Sequence, residues 1–136
     1  MGDRANVVVS EGPGNVVWLY THWRGSGLPH TLQQALLRRE RWDDGPYLAR
    51  IVFCEMVGDT CRDTTGFGIS SVCGDGNGHI LMLSVPDQTV AAGYMEDDSF
   101  QFVCCGKWTF RDFTELSAEK LDEIWDTVEK CRYGER

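Results

Sequence analysis

Val7-Val8-Val9, then Glu11-Gly12-Pro13-Gly14-Asn15, then Val16-Val17-Trp18-Leu19-Tyr20 is the stretch on which the fold turns. β-Branched and aromatic side chains favour the half-buried pleated surface of a strand, and the glycine- and proline-bearing segment between the two runs is a chain reversal. The reading is an antiparallel β-hairpin at the N-terminus. Beyond Thr21-His22-Trp23-Arg24-Gly25-Ser26-Gly27 the period changes. Leu28, Leu32, Ala35 and Leu36 recur at helical spacing with charged residues on the other face up to Arg41, which predicts a first helix ending near Trp42. Asp43-Asp44-Gly45-Pro46 then supplies capping carboxylates and a first-turn proline for a second helix from Tyr47 to Val57, whose apolar residues all round predict burial.

Gly58 to Thr65 reads as a polar loop. From Gly66 to Phe113 short strand-like runs alternate with turn residues: Phe67 to Val72, His79 to Val85, Thr89 to Tyr94, and Phe100 to Phe110 with a break at Gly106. Gly74-Asp75-Gly76-Asn77-Gly78 is a turn between the first two, and an antiparallel meander is the simplest way to join them all. Ser117 to Lys130 is the clearest helix. Leu121, Ile124, Trp125 and Val128 form its core-facing stripe, while Glu115, Glu119, Asp122, Asp126 and Glu129 follow one another at spacings of four and three as an unbroken acidic ridge. The fold class expected is α+β: hairpin, two helices, meander, and a C-terminal amphipathic helix packed on the sheet. At 136 residues the chain makes one domain, residues 1–136, with a core large enough to need no staples.

The formal charge is −8, and it is unevenly placed. Between Gln88 and Glu129, Glu96, Asp97, Asp98 and Asp112 join the carboxylates of the last helix against only Lys107, Arg111 and Lys120, whereas Arg24, Arg38, Arg39, Arg41 and Arg50 lie in the first half. Such a field repels phosphate backbones, which argues against direct nucleic-acid binding, and it attracts basic partners. The polar N-terminus and short apolar runs predict neither an export segment nor a membrane span. The six cysteines then read as thiols of a reducing cytoplasm rather than as a disulfide framework.

The run Tyr20-Thr21-His22-Trp23-Arg24-Gly25, continued by Leu28-Pro29, Leu32, Ala35-Leu36, Arg41-Trp42-Asp43-Asp44 and Tyr47-Leu48-Ala49-Arg50-Ile51, resembles a group of small phage and actinobacterial proteins. In those the strand end reads Tyr-Thr-His-Trp-Gly-Gly. The likeness continues, more weakly, through Thr65-Gly66-Phe67-Gly68-Ile69-Ser70 to Val85, and Arg24 departs from it by standing where the group has its first glycine. The resemblance brings no activity with it. It implies a phage or mobile-element origin and the cytoplasm of a bacterial host cell, a setting in which small acidic proteins often inhibit host defence.

No catalytic signature or cofactor motif is legible, so neither an enzymatic role nor a cofactor is expected. Cys54, Cys61, Cys73, His79, Cys104 and Cys105 lack the close pair spacing of a zinc knuckle; adjacent Cys104 and Cys105 on a strand point to opposite faces, so no metal site is expected either. Gly74 to Gly78 lacks the Gly-Lys-Ser/Thr ending of a phosphate loop and the spaced ligands of a calcium loop. Arg38, Arg39 and Arg41 suit a solvated helix end as well as they suit an acidic partner.

Two candidate sites follow. Glu96, Asp97, Asp98, Glu115, Glu119, Asp122, Asp126 and Glu129, with Trp23 as an anchor, would occupy a basic groove on a host protein by imitating a nucleic-acid backbone, in the manner of an anti-CRISPR inhibitor of a defence nuclease complex. The same ridge is also accounted for as a solubilising surface. Alternatively, Tyr20, Thr21, His22 and Arg24 at the strand end would bind or cleave a nucleotide, with His22 as base or ligand, or would simply close an aromatic corner. A virion or scaffold component is the third reading.

Overall fold

The computed structural model of the protein describes residues 2–74 and 78–134. Six strands, β1 (Ala5–Ser10), β2 (Val16–Thr21), β3 (Phe67–Ser70), β4 (Ile80–Ser84), β5 (Thr89–Met95) and β6 (Phe102–Thr109), form one sheet in the order β3-β2-β1-β4-β5-β6. The helices are α1 (Leu28–Leu37), α2 (Gly45–Val57), α3 (Phe110–Thr114), α4 (Ala118–Asp122) and α5 (Ile124–Tyr133). The α+β class, the N-terminal hairpin and a C-terminal helix packed on the sheet are all present.

The hairpin register sets the two faces of the sheet. Val7 opposite Leu19 and Val9 opposite Val17 face one way, and Val8 opposite Trp18 faces the other. Val7 and Val8 are both fully buried, so β1 needs partners on both edges and cover on both faces. β4 supplies the second edge and lies parallel to β1, with Asn6 opposite Ile80 and Ser10 opposite Ser84. This corrects the expected meander. β4, β5 and β6 do form one, but β3 leaves it to flank β2 at the far edge. The physical reason is burial: Ile80, Leu81 and Leu83 are fully buried and suit the centre, whereas Ile69 of β3 is 62% exposed and suits an edge.

All five helices feed one core. Leu28, Leu32 and Leu36 of α1, Leu48, Ile51 and Val52 of α2, Phe110 and Phe113 of α3, Leu121 of α4, and Ile124 and Val128 of α5 pack with Val7, Leu19, Leu81, Leu83 and Val90. The opposite sheet face holds a smaller cluster, Val8, Trp18 and Ile80, to which no helix contributes among the described residues.

Helix boundaries differ from expectation for local reasons. α1 stops at Leu37 rather than near Trp42 because Arg39 and Arg41 adopt left-handed backbone, φ 55° and 60°. Trp42 then folds back, its Nε1–H donating to the Leu36 carbonyl at 3.1 Å while its ring meets Phe110 edge-on. α2 begins as its capping chemistry predicts, the Asp44 carboxylate accepting from Tyr47 N–H at 3.4 Å. α3 occupies residues read as strand end and loop. The Thr109 hydroxyl accepts from Asp112 N–H at 3.0 Å, and Phe110 and Phe113 turn into the core one helical turn apart. The last helix is two segments meeting at Glu123, whose backbone stays right-handed.

The reading of all six cysteines as thiols is overturned by a disulfide between Cys105 and Cys131, with Cα atoms 6.0 Å apart, inside the range a disulfide spans. A β-bulge explains why it forms. The β5–β6 register shifts between Ala92 and Gly93, so Ala92 faces Gly106, Gly93 faces Cys104, and Cys105 is the extra residue. Released from pairing, Cys105 packs against the helix-side core, where Cys131 of α5 waits. Cys54, Cys61 and Cys104 are exposed thiols rather than buried ones.

Candidate acidic binding face

Strand directions bring sequence-distant loops to one end of the sheet. Thr21 closes β2 beside Ala5 and Phe67, which open β1 and β3, while Asn6 lies beside Ile80 at the start of β4. Ile80 faces Gly93, and Met95 faces Phe102, so β5 ends and β6 begins at that same end. Residues 2–4, 22–27, 78–79 and 96–101 are therefore grouped there. α5 joins them: Trp125 Nε1–H donates to the Gly25 carbonyl at 2.8 Å, and the Trp125 ring stacks on His79 at 4.7 Å.

Most of the expected acidic residues meet at this end. Glu96, Asp97 and Asp98 form the turn between β5 and β6, and Asp97 Oδ1 accepts from Arg132 of α5 at 3.3 Å, linking the turn to the helix. Asp122, Asp126 and Glu129 run along the flank of α4 and α5. Asp122 Oδ1 lies 2.7 Å from His30 Nε2, and Glu129 Oε2 lies 3.6 Å from His79 Nε2. The ridge is not unbroken, however. Glu115 follows α3 rather than belonging to the last helix, and it sits 3.9 Å from Arg111. Asp98, Glu119 and Asp126 are exposed, with no ion pair among the described residues.

The strand-end histidine lies close by, but its surroundings are its own chain. The Tyr20 hydroxyl is 3.1 Å from His22 Nδ1, Arg4 Nε–H donates to that same nitrogen at 3.3 Å, and the Trp23 ring meets the imidazole edge-on at 4.2 Å. Gly2 closes over the other edge so tightly that a Cβ there would stand 2.6 Å from Nε2. Thr21 is buried, its hydroxyl accepting from Arg24 N–H at 3.1 Å, while the Arg24 guanidinium stays exposed 5.8 Å from the Phe67 ring. These contacts build an aromatic corner. Trp23 lies against Gly66, whose φ of +104° a side chain would strain, and it remains 53% exposed.

Arg38, Arg39 and Arg41 lie at the other end of the sheet, where Gln88 Nε2–H donates to the Trp42 carbonyl at 2.8 Å and Gly45 N–H to Glu11 Oε1 at 3.3 Å. Each has a local partner. Arg38 pairs with Glu40 at 2.9 Å, Arg41 with Asp44 at 3.5 Å over the Tyr47 ring, and Arg39 lies over Trp42. Among the described residues no group of three or more His, Cys, Asp or Glu side chains is placed to hold a metal ion. Nor is any helix long and apolar enough to cross a membrane. Of the glycine-rich turn, Asp75, Gly76 and Asn77 lie outside the described residues. Gly74 N–H donates to Asn6 Oδ1 at 3.3 Å.

Two exposed aromatics at the acidic end escaped the reading of the sequence: Phe100, 75% exposed, and Tyr133, 56% exposed. Phe100 reads as the first residue of a strand, and Tyr133 lies past the expected helix end, so periodicity carried no signal for either. Comparison of the chain with protein-family models, with curated proteins and with solved structures finds no match.

Proposed function

We propose that the protein is a binding protein of phage or mobile-element origin that occupies a basic surface on a host protein, with a defence nuclease complex as the class of target. The single observation that carries this reading is the gathering of Asp97, Asp98 and Glu129 at one sheet end, where Arg132 of α5 bonds the turn and Glu129 lies by His79. Carboxylates held on a rigid sheet end and helix create a directed negative potential, and such potentials speed encounter with a basic groove and reject acidic competitors. The origin rests on the resemblance of the Tyr20 to Val85 region alone.

The test is plasmid interference in bacteria carrying an RNA-guided or restriction nuclease. Expression of the chain is expected to rescue plasmid transformation in at least one such strain. The combined Asp98→Lys, Glu119→Lys and Asp126→Lys variant should lose that rescue, its affinity for the target falling about 100-fold or more. Interference left intact across the whole panel sinks the defence target. A thermal shift with a nucleotide, lost in His22→Ala, would move the site to the aromatic corner instead.

A further inference from the structure

The last turn of α5 is fastened to the sheet by a bond that reagents in water can reach. Val128 is the final fully buried residue of the helix. After it Glu129, Lys130, Cys131 and Tyr133 are exposed and Arg132 is half-buried, so residues 129–133 add no apolar side chain to the core. This turn is tied down by the Cys105–Cys131 bridge, by the pairing of Glu129 with His79 at 3.6 Å and of Arg132 with Asp97 at 3.3 Å, and by the Arg132 guanidinium 5.2 Å from the Tyr94 ring centre. The Glu129 and Asp97 side chains are 51% and 71% exposed, and ion pairs so placed hold weakly. Helix ends without core contacts open locally at little cost in free energy. The bridge is therefore the tie on which the docked turn depends. Its two sulfurs are not equivalent: Cys105 is half-buried against the helix-side core, whereas Cys131 is exposed although it is bonded. A thiolate can reach the Cys131 sulfur, and accessible bridges are the ones that exchange.

We infer that the Cys105–Cys131 bridge is a reversible thiol switch that docks the last turn of α5 on the sheet when oxidised and releases it when reduced. The reductant is a dithiol. Its first thiolate attacks Cys131 Sγ, the S–S bond breaks, and the electron pair leaves on Cys105 Sγ. Its second thiolate then attacks the reductant's own sulfur in the mixed disulfide, and Cys131 leaves as a thiolate. The two protons shed by the reductant end on Cys105 and Cys131, so the bridge gains two electrons and the dithiol becomes a disulfide. Leu121, Ile124, Trp125 and Val128 stay in the core, which confines the opening to the last turn. With that turn Arg132 leaves Asp97 and Tyr94, and Glu129 leaves His79. The switch decides whether the helix end and the β5–β6 turn form one surface, and it does not depend on what that surface binds.

The experiment treats the folded full chain with dithiothreitol in the absence of denaturant, tags the thiols for mass spectrometry, and records backbone NMR shifts before and after. Cys105 and Cys131 are expected to take up the tag only after reduction, at a rate that rises with dithiothreitol concentration. The helical shifts of residues 129–133 should then collapse toward random-coil values while those of β1 and β4 stay native, and oxidised glutathione should restore them. Cys131→Ser should show the opened turn with or without reductant, whereas oxidised Arg132→Ala should keep it closed, since the bridge and not the ion pair is the tie. Reduction at a rate independent of dithiothreitol, which marks a bridge reached only by unfolding, overturns the inference. So does a reduced wild type whose last turn stays helical, one whose β1 and β4 shifts are lost with it, or an oxidised Arg132→Ala whose last turn is open.

Discussion

The two ends of the sheet treat charge differently. At the arginine end, Arg38, Arg39 and Arg41 are each taken up within a few residues, by Glu40, the Trp42 ring, and Asp44 with Tyr47. At the acidic end the carboxylates come from the β5–β6 turn and from α4 and α5, and their partners are remote in sequence: His30 for Asp122, His79 for Glu129, Arg132 for Asp97. The protein's three histidines, His22, His30 and His79, all lie near this second end. Locally satisfied charge leaves no directed field, whereas carboxylates assembled by the fold, with Asp98, Glu119 and Asp126 left unpaired among the described residues, do. The −8 chain thus keeps carboxylates without an ion pair among the described residues, whereas Arg38, Arg39 and Arg41 are each taken up locally.

The most damaging way to break this contrast is to detach α5. Trp125 is 8% exposed, stacks on His79 and reaches the Gly25 carbonyl, so Trp125→Ala is expected to cost about 3–5 kcal/mol in urea unfolding and to abolish the acidic face together with the fold's stability. Next in size is the Cys105–Cys131 bridge, which closes a separation of 26 residues and ties α5 to the bulged strand. Cys131→Ser is expected to lose about 3 kcal/mol, and reductant should lower the melting temperature of the wild type but not of the variant. Asp44→Ala at the arginine end removes one helix cap and should cost about 1 kcal/mol, with partner binding unchanged.

Smallest in stability and largest in consequence for binding is charge reversal. Asp98→Lys, Glu119→Lys and Asp126→Lys together should move unfolding free energy by about 0.5 kcal/mol or less per site, while Arg38→Glu with Arg39→Glu should leave both stability and binding near wild type. Equal loss of binding from the two sets would erase the distinction between the ends.

Much of the architecture was legible because it is local. The valine runs around Gly12 and Gly14 specify a hairpin through strand propensity and turn geometry, Asp44 and Pro46 announce α2, and the Leu121 to Val128 stripe announces the last helix. What failed was what depends on remote partners. Nothing near Phe67 tells it to pair with Thr21 rather than with the next strand, and nothing near Thr109 says that Phe110 and Phe113 find more burial as a helical turn than as strand. The Cys105–Cys131 pairing joins a bulged strand to a helix 26 residues further on. The candidate face was half legible: its carboxylates stood out in the sequence, but their division between paired and unpaired, the loss of Glu115 from the ridge, and Phe100 and Tyr133 did not.

By itself the sequence determined the α+β class, the hairpin, the capped second helix, the charge imbalance and the amphipathic last helix, because period, propensity and capping act within a few residues. Only the tertiary structure decided the parallel β1–β4 pairing, the disulfide, the closed aromatic corner around His22 and the meeting of turn and helix carboxylates at one sheet end. Burial and approach between distant segments are properties of the packed chain, and no window of neighbouring residues contains them.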